Sequence, residues 1–322
     1  MLYNKYAVEN HAIGEYMNNL KKGIYPVMLT PFKDGNVDYG TVRQLTQWYI
    51  NNGCTGIFSV CQSSEMFYLS LDEKVRIAKE VVNTSSGQIT VVASGHTSDK
   101  IEDQAYELNK IAEIGVEAVI LVTNRLDLND EGEDVWLKNA DKLISLLNKD
   151  VFLGFYECPK PYKKLLTPRM LDWCLQNDRF RFIKDTCCEP VLLNKRLNQL
   201  KDSELMLFNA NGQTLLSSLQ DGAAGYSGVI ANYCPSLFAW LYNNYQTNPQ
   251  KAKELSDMLS LLSFTENSAY PVTAKYYQQL EGNAFTLETR VVNSQVLDAY
   301  QKHCVEQQYR IIQKLKEEYE VL

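Results

Sequence analysis

The chain has 322 residues, 45% of them apolar and 22% charged, which is ordinary globular composition and argues against disorder, collagen and coiled coil. Its 32 Lys and Arg against 39 Asp and Glu give a net charge of −7. With an isoelectric point near 5.2, there is no electrostatic case for nucleic-acid binding or for a polybasic membrane contact.

Residues 1–21 read as a polar N-terminal extension without the apolar stretch of a secretory signal. No run in the chain approaches the ~20 apolar residues that would cross a bilayer. The expected compartment is therefore the cytoplasm. From Lys22 onward, short β-branched apolar runs alternate with longer amphipathic stretches. The strand candidates are Ile24–Leu29, Gly56–Val60, Ile89–Ala93, Ala118–Val122, Val151–Tyr156, Phe180–Lys184, Met206–Asn209 and Gly225–Ile230. Each is short, apolar and bounded by turn residues, as fully buried parallel strands are. Helices are predicted over Asp38–Asn51, Leu71–Val82, Ser98–Glu113, Glu133–Leu147, Thr167–Gln176, Pro190–Leu200 and Gln213–Gln220. Thr167-Pro168 reads as an N-cap followed by proline at the first helical position. Eight such repeats predict an α/β fold, a (β/α)8 barrel over residues 22–247. The competing doubly wound sheet would show a glycine-rich first turn, which is absent. Residues 248–322 lose the strand signal. Lys251–Phe264 and Glu288–Glu318, with apolar positions at Val291, Val296, Tyr300 and Cys304, predict a C-terminal helical extension.

Three histidines with no paired spacing, and eight cysteines with no Cys-x-x-Cys, predict no metal site. No dinucleotide or nucleotide-phosphate fingerprint is present, so no cofactor is expected. What is left is side-chain chemistry, and in such a barrel it belongs at the C-terminal ends of the strands. Lys184 ends the sixth strand. It is either a lysine paired with a carboxylate such as Asp185, or an amine whose pKa is lowered by burial and which can form a Schiff base. Tyr156 ends the fifth strand beside it and is either a backbone-bonded aromatic or a proton relay. Ser63 and Ser64 follow the second strand, where hydroxyls and amides in a turn suit a carboxylate. His96 is expected to serve a loop, Glu65 to structure its turn, and Asp185 to set local hydrogen bonds. Cys187 and Cys188 have no histidine placed to activate them.

Together these residues resemble the pyruvate-dependent class I aldolase family of dihydrodipicolinate synthase and N-acetylneuraminate lyase. The likeness runs from about Lys22 to the C-terminus. It is carried by Gly23-Ile24-Tyr25-Pro26-Val27-Met28-Leu29-Thr30-Pro31-Phe32, by Asp34-Gly35-Asn36-Val37-Asp38, by Gly53-Cys54-Thr55-Gly56-Ile57 and by Ser70-Leu71-Asp72-Glu73-Lys74. Tyr156-Glu157-Cys158-Pro159 and Ile183-Lys184-Asp185-Thr186 resemble the family's tyrosine and lysine signatures. The resemblance implies that Lys184 forms an imine with a 2-oxo acid such as pyruvate and that Tyr156 relays protons. Gln62, Ser63, Ser64, Ala210 and Ile230 make the expected substrate-binding set. A homotetramer is implied, with a small-molecule substrate and neither nucleic acid nor membrane as partner.

The sequence also departs from the family. Its carboxylate turn reads Cys61-Gln62-Ser63-Ser64-Glu65, where one hydroxyl has become an amide and a glycine has become serine. Lys160-Pro161 stands where the synthases carry an arginine for a second carboxylate. The loop Thr123–Asp127 lacks the synthases' tyrosines, and Ala210-Asn211-Gly212-Gln213 lacks the acids of the sialic-acid lyases. The expected activity is therefore cleavage or formation of a C–C bond on a shorter 2-oxo sugar acid. A dehydratase of the same family, or a barrel that binds a 2-oxo acid as a sensor without turnover, are the alternatives.

Overall fold

The computed structural model describes residues 20–322 apart from Asn267. The predicted N-terminal extension, residues 1–21, lies outside the described residues but for Leu20 and Lys21. Eight parallel strands form one sheet: β1 Gly23–Ile24, β2 Gly56–Phe58, β3 Thr90–Ala93, β4 Ala118–Val122, β5 Phe152–Tyr156, β6 Phe180–Asp185, β7 Met206–Asn209 and β8 Gly225–Tyr226. Sequential strands pair from β2 through β8, and β8 pairs with β1. The remaining edge is joined by a parallel bridge between Val27 and Phe58. There Phe58 N donates to Pro26 O and Met28 N donates to Phe58 O, both at 3.0 Å. The result is a (β/α)8 barrel, as the alternation predicts.

The first and last strands are shorter than predicted. Pro26 has no N–H to continue the ladder begun at Ile24. After Tyr226 the chain leaves the sheet for a 3-10 turn, Val229–Asn232, so the predicted strand Gly225–Ile230 keeps only its first two residues. The helices are α1 Tyr39–Asn51, α2 Leu71–Ser85, α3 Ile101–Ala112, α4 Glu133–Leu146, α5 Pro168–Leu175, α6 Pro190–Leu200, α7 Leu215–Gln220, α8 Pro235–Asn244, α9 Pro249–Ser263, α10 Val272–Leu280 and α11 Ala299–Glu318. Two of these, α8 and α10, carry no prediction above. The α2 start is a capping box, in which the Ser70 side chain accepts from Glu73 N and Glu73 accepts from Ser70 N.

The predicted helix Glu288–Glu318 forms only from Ala299. Upstream, backbone groups are taken by tertiary partners: Arg290 N donates to Glu65 Oε2 at 2.6 Å, and Glu288 O accepts from Lys275 Nζ at 2.5 Å. Asp298 then caps α11 by accepting from Gln301 N. The face that α11 buries is Val305, Ile312 and Leu315, whereas Val296 and Tyr300 are exposed.

Aromatic rings fill the barrel. Phe182 and Phe208 stack at 4.5 Å, and Tyr25 meets Phe208 edge-on at 4.7 Å. Tyr25 reaches that position because residue 56 is glycine: a Cβ there would lie 2.2 Å from the Tyr25 ring. Above this layer Phe58 packs edge-on against Tyr156 at 5.6 Å. These rings are a dry floor under the C-terminal mouth, where burial of an unpaired charge is costly.

Candidate active site

Strand register brings the two strand-end residues together. Tyr156 and Lys184 are direct partners in the β5–β6 ladder, and Lys184 is opposite Phe208 on β7. The Lys184 Nζ lies 4.3 Å from the Tyr156 ring centroid and 5.8 Å from that of Phe58. Lys184 is 4% exposed. Among the described residues it makes no ion pair and no side-chain hydrogen bond.

The carboxylate that could have neutralised Lys184 is engaged elsewhere. Asp185 pairs with Arg196, whose second nitrogen lies 2.9 Å from Glu157 Oε1. Glu157 also accepts from Thr186 N at 2.9 Å and from Leu166 N at 2.7 Å. So the residue after Tyr156 and the residue after Lys184 share one buried guanidinium, and this lashes β5 to β6 behind the site. Asp185 therefore acts through hydrogen bonds, as expected. Burial pushes the Lys184 ammonium below the ordinary lysine range, against the weaker opposing pull of Cys61, Cys158 and Glu266. Burial likewise raises the Tyr156 phenol well above its usual value, so it stays protonated and can donate.

Lys184 and Tyr156 line a cavity of about 300 Å³ with Gln62, Ser63, Ala210 and Tyr270. A second cavity, about 770 Å³, shares Gln62, Ser63 and Tyr270 as its wall and adds Arg125, Lys160 and Pro161. Of the expected set, Gln62, Ser63 and Ala210 are thus brought to Lys184. Ser64 faces the other way. Its hydroxyl is shared between Met28 O at 2.6 Å and Ser59 O at 2.9 Å, and accepts from Cys61 N at 3.1 Å. That makes it a strut of the turn. Ile230 is fully buried in the 3-10 turn, and Gly228 and Val229 reach the cavity in its place. The Gln62 carbonyl accepts the Cys158 thiol at 3.2 Å, which turns this side chain toward the Tyr156 strand.

Glu65 closes the turn with a left-handed backbone, φ 61°. Its carboxylate meets Lys275 Nζ at 2.6 Å and accepts from Thr289 Oγ1 at 2.9 Å. Both ends of the Glu65–Lys275 pair are sealed from water. The turn is therefore held by α10 and by the stretch before α11.

His96 is fully buried. One ring nitrogen accepts Val122 N–H and the other faces Gln104 Oε1 at 3.0 Å. Burial holds its pKa down at about 3, so it is a neutral bracket between β3 and β4. Burial pushes the Cys187 thiol up to about 12, which leaves it protonated. Among the described residues, no cluster of three or more His, Cys, Asp or Glu could hold a metal ion.

Sequence reasoning missed other lining residues besides Gly228 and Val229. Glu266 and Tyr270, from the connection between α9 and α10, line the Lys184 cavity. Burial raises the Glu266 carboxyl, and Lys184 partly offsets the effect. The available signal was the break in helical pattern after Phe264, where Thr265-Glu266-Asn267-Ser268-Ala269-Tyr270-Pro271 is polar and ends in proline.

Removing the Tyr156 hydroxyl tests the relay while leaving the ring over Lys184. Tyr156→Phe is expected to lower turnover about 10²- to 10⁴-fold, the usual worth of a positioned acid–base group. Folding, read by thermal denaturation, should be nearly unchanged.

An unpaired, buried lysine at a strand end of an eight-stranded barrel, beside a phenol and a turn of donors, defines a barrel equipped for amine-based covalent chemistry. The chain belongs to the dihydrodipicolinate synthetase family, whose model matches residues 20–291. Helix α11 lies beyond that match. The chain is 26% identical to the 4-hydroxy-tetrahydrodipicolinate synthase of Methanocaldococcus jannaschii, over 78% of this chain and 86% of that one. Its fold is similar to that of a dihydrodipicolinate synthase from Bacillus anthracis, with a TM-score of 0.81, 18% identity and coverage of 90% and 97% of the two chains. A prophage protein of the dihydrodipicolinic acid synthase family from E. coli K12, solved in complex with pyruvate, aligns with a TM-score of 0.81. Its identity is 15%, with coverage of 91% and 98%.

Proposed function

We propose that this protein is a lyase of the class I aldolase type, which forms a Schiff base between Lys184 and pyruvate or another 2-oxo acid and makes or breaks the C–C bond at C3. The observation that carries the reading is the Lys184 amine, buried without a carboxylate partner and open to a cavity that it shares with Tyr156. A neutral amine attacks the keto carbon. The carbinolamine so formed loses its oxygen as water to leave the imine, which once protonated is an electron sink that stabilises an enamine at C3. Tyr156 moves protons to and from the carbinolamine. Gln62 and Ser63 hold the acid end, and Ala210, whose N–H is bonded to Asp185 O, lines the cavity beside them. Pyruvate in the E. coli relative's structure supports this assignment of the ligand class. A homotetramer acting in the cytoplasm, without a cofactor, belongs to the same proposal and rests on the family resemblance.

The test is borohydride reduction in the presence of pyruvate, followed by mass analysis of the peptide containing Lys184. Adduct formation without turnover on any aldol substrate would favour a sensor. The second substrate follows from the adjoining cavity. Pro161 offers no side-chain donor where the synthases carry arginine, and Arg125 is drawn to Asp99 at 2.5 Å. Losing one charge-assisted bidentate contact costs about 1.5–3 kcal/mol, roughly 10- to 150-fold. Condensation of pyruvate with aspartate semialdehyde is therefore expected to be slow. Cleavage of a six-carbon 2-oxo-3-deoxy sugar acid to pyruvate and glyceraldehyde, followed by pyruvate release, is expected to be faster. Efficient use of the semialdehyde would instead assign Arg125, Lys160 or Lys163 to its carboxylate.

A further inference from the structure

The turn at 61–65 is an incomplete anion site. The amides of Gln62 and Ser63 find no acceptor among the described residues, while those of Ser64 and Glu65 are bonded to Cys61 O and Gln62 O. Of the side-chain groups, the Ser64 hydroxyl is used inside the fold and the Gln62 carbonyl is taken by Cys158. One hydroxyl is left at the turn, that of Ser63, on the wall between the two cavities.

Tyr270 stands on the same wall. Its hydroxyl is buried and has no hydrogen-bond partner among the described residues. The Ser63 side chain is close enough to influence its ionisation, yet not in bonding geometry. Burial holds the phenol well above its ordinary pKa, so it can act only as a neutral group and is available to donate. A buried donor left unmet is costly and is uncommon away from ligand sites. Two amides and two hydroxyls beside one cavity call for an oxyanion, and Lys184 opens onto the same space.

We infer that the Tyr270 hydroxyl is a direct ligand of the substrate carboxylate, completing with Ser63 and the 62–63 amides an anion site that the barrel turn alone half builds. The inference rests on the Schiff-base reading above, and it makes the connection between α9 and α10 part of the substrate site. Tyr270 replaces, from outside the barrel, the side-chain hydroxyl that the turn lacks at Gln62. No covalent step is assigned to it. It positions the 2-oxo acid so that its keto carbon meets Lys184.

The experiment compares borohydride trapping of pyruvate with that of pyruvamide, which has the same shape but carries no negative charge, in the full chain and in Tyr270→Phe. For pyruvate, the half-saturating concentration should rise about ten- to hundredfold, the usual loss for one hydrogen bond to a charged group. For pyruvamide it should stay within about twofold, and the trapping rate at saturation should stay within about threefold. Ser63→Ala should show the same selectivity. Because the hydroxyl has no partner among the described residues, Tyr270→Phe should fold at least as stably as the parent. Equal weakening toward both ligands would make Tyr270 a structural residue and overturn the inference. An unshifted pyruvate response in Tyr270→Phe, with the parent trapped normally, would overturn it alone. A parent chain that traps no pyruvate on Lys184 would overturn the Schiff-base assignment and this inference with it.

Discussion

Lys184→Ala is expected to lose the borohydride-trapped pyruvate adduct completely and to lose turnover by on the order of 10⁴-fold or more, as other covalent enzymes do when the nucleophile is removed. Lys184→Arg should be equally inactive, because a guanidinium stays protonated and is a poor nucleophile. The environment also sets a pH dependence. An ordinary lysine is protonated up to about pH 10.4. Burial lowers the Lys184 value, so the neutral, attacking amine appears at lower pH. The rate of adduct formation should therefore rise with pH through the lowered pKa, and level off earlier than for an exposed lysine. Labelling of Lys184→Ala at an undiminished rate would show that another amine carries the chemistry. Either variant should fold, since Lys184 holds no ion pair that its loss would break.

Arg196→Met is expected to be the most damaging change outside the cavity. The guanidinium is the shared partner of Glu157 and Asp185, all three are sealed from water, and it also donates to Leu166 O at 2.6 Å. Taking away the one cation leaves two buried carboxylates facing each other. Breaking such a buried pair costs about 3–5 kcal/mol, a large share of the stability of a typical domain. The midpoint of urea denaturation should fall accordingly. Activity at low temperature should fall too, because Glu157 and Asp185 directly follow Tyr156 and Lys184. Adding Glu157→Gln and Asp185→Asn to Arg196→Met should recover stability, since neutral side chains remove the uncompensated charge. No recovery in the triple variant would show that packing, and not charge, is what Arg196 supplies. Soluble expression of Arg196→Met with an unchanged denaturation midpoint would count against the network altogether.

The alternation of short apolar runs with amphipathic stretches was enough to define the barrel, because parallel strands buried on both faces must be apolar along their whole length. It located β4, β7 and α6 at their observed limits. Strand ends were harder. Ile24–Leu29 reads as one strand by composition, but Pro26 cannot donate, and that constraint shows only when the neighbouring strand is in place. The tail misled in another way. Val291, Val296 and Tyr300 recur at helical spacing, yet helix α11 starts at Ala299 because the backbone before it is claimed by Glu65 and Lys275, more than 200 and more than 10 residues away.

At the site, the sequence by itself determined Lys184 and Tyr156 as neighbours, since consecutive barrel strands in register bring their end residues together. It also placed a turn carrying Ser63 and Ser64 after the second strand. Only the tertiary structure shows that Asp185 does not pair with Lys184, because whether Asp185 is free depends on Arg196, brought in by α6. The same holds for the carboxylate turn. Ser63 and Ser64 are identical side chains in adjacent positions, and nothing local separates them. One faces the cavity and the other is consumed by Met28 and Ser59, because successive residues in a tight turn point to opposite sides. Tyr270 was beyond reach for the same reason: a side chain 86 residues beyond Lys184 enters the site only because α9 and α10 fold back over the mouth of the barrel. Periodicity records which face of an element is buried; it does not record which distant segment covers it.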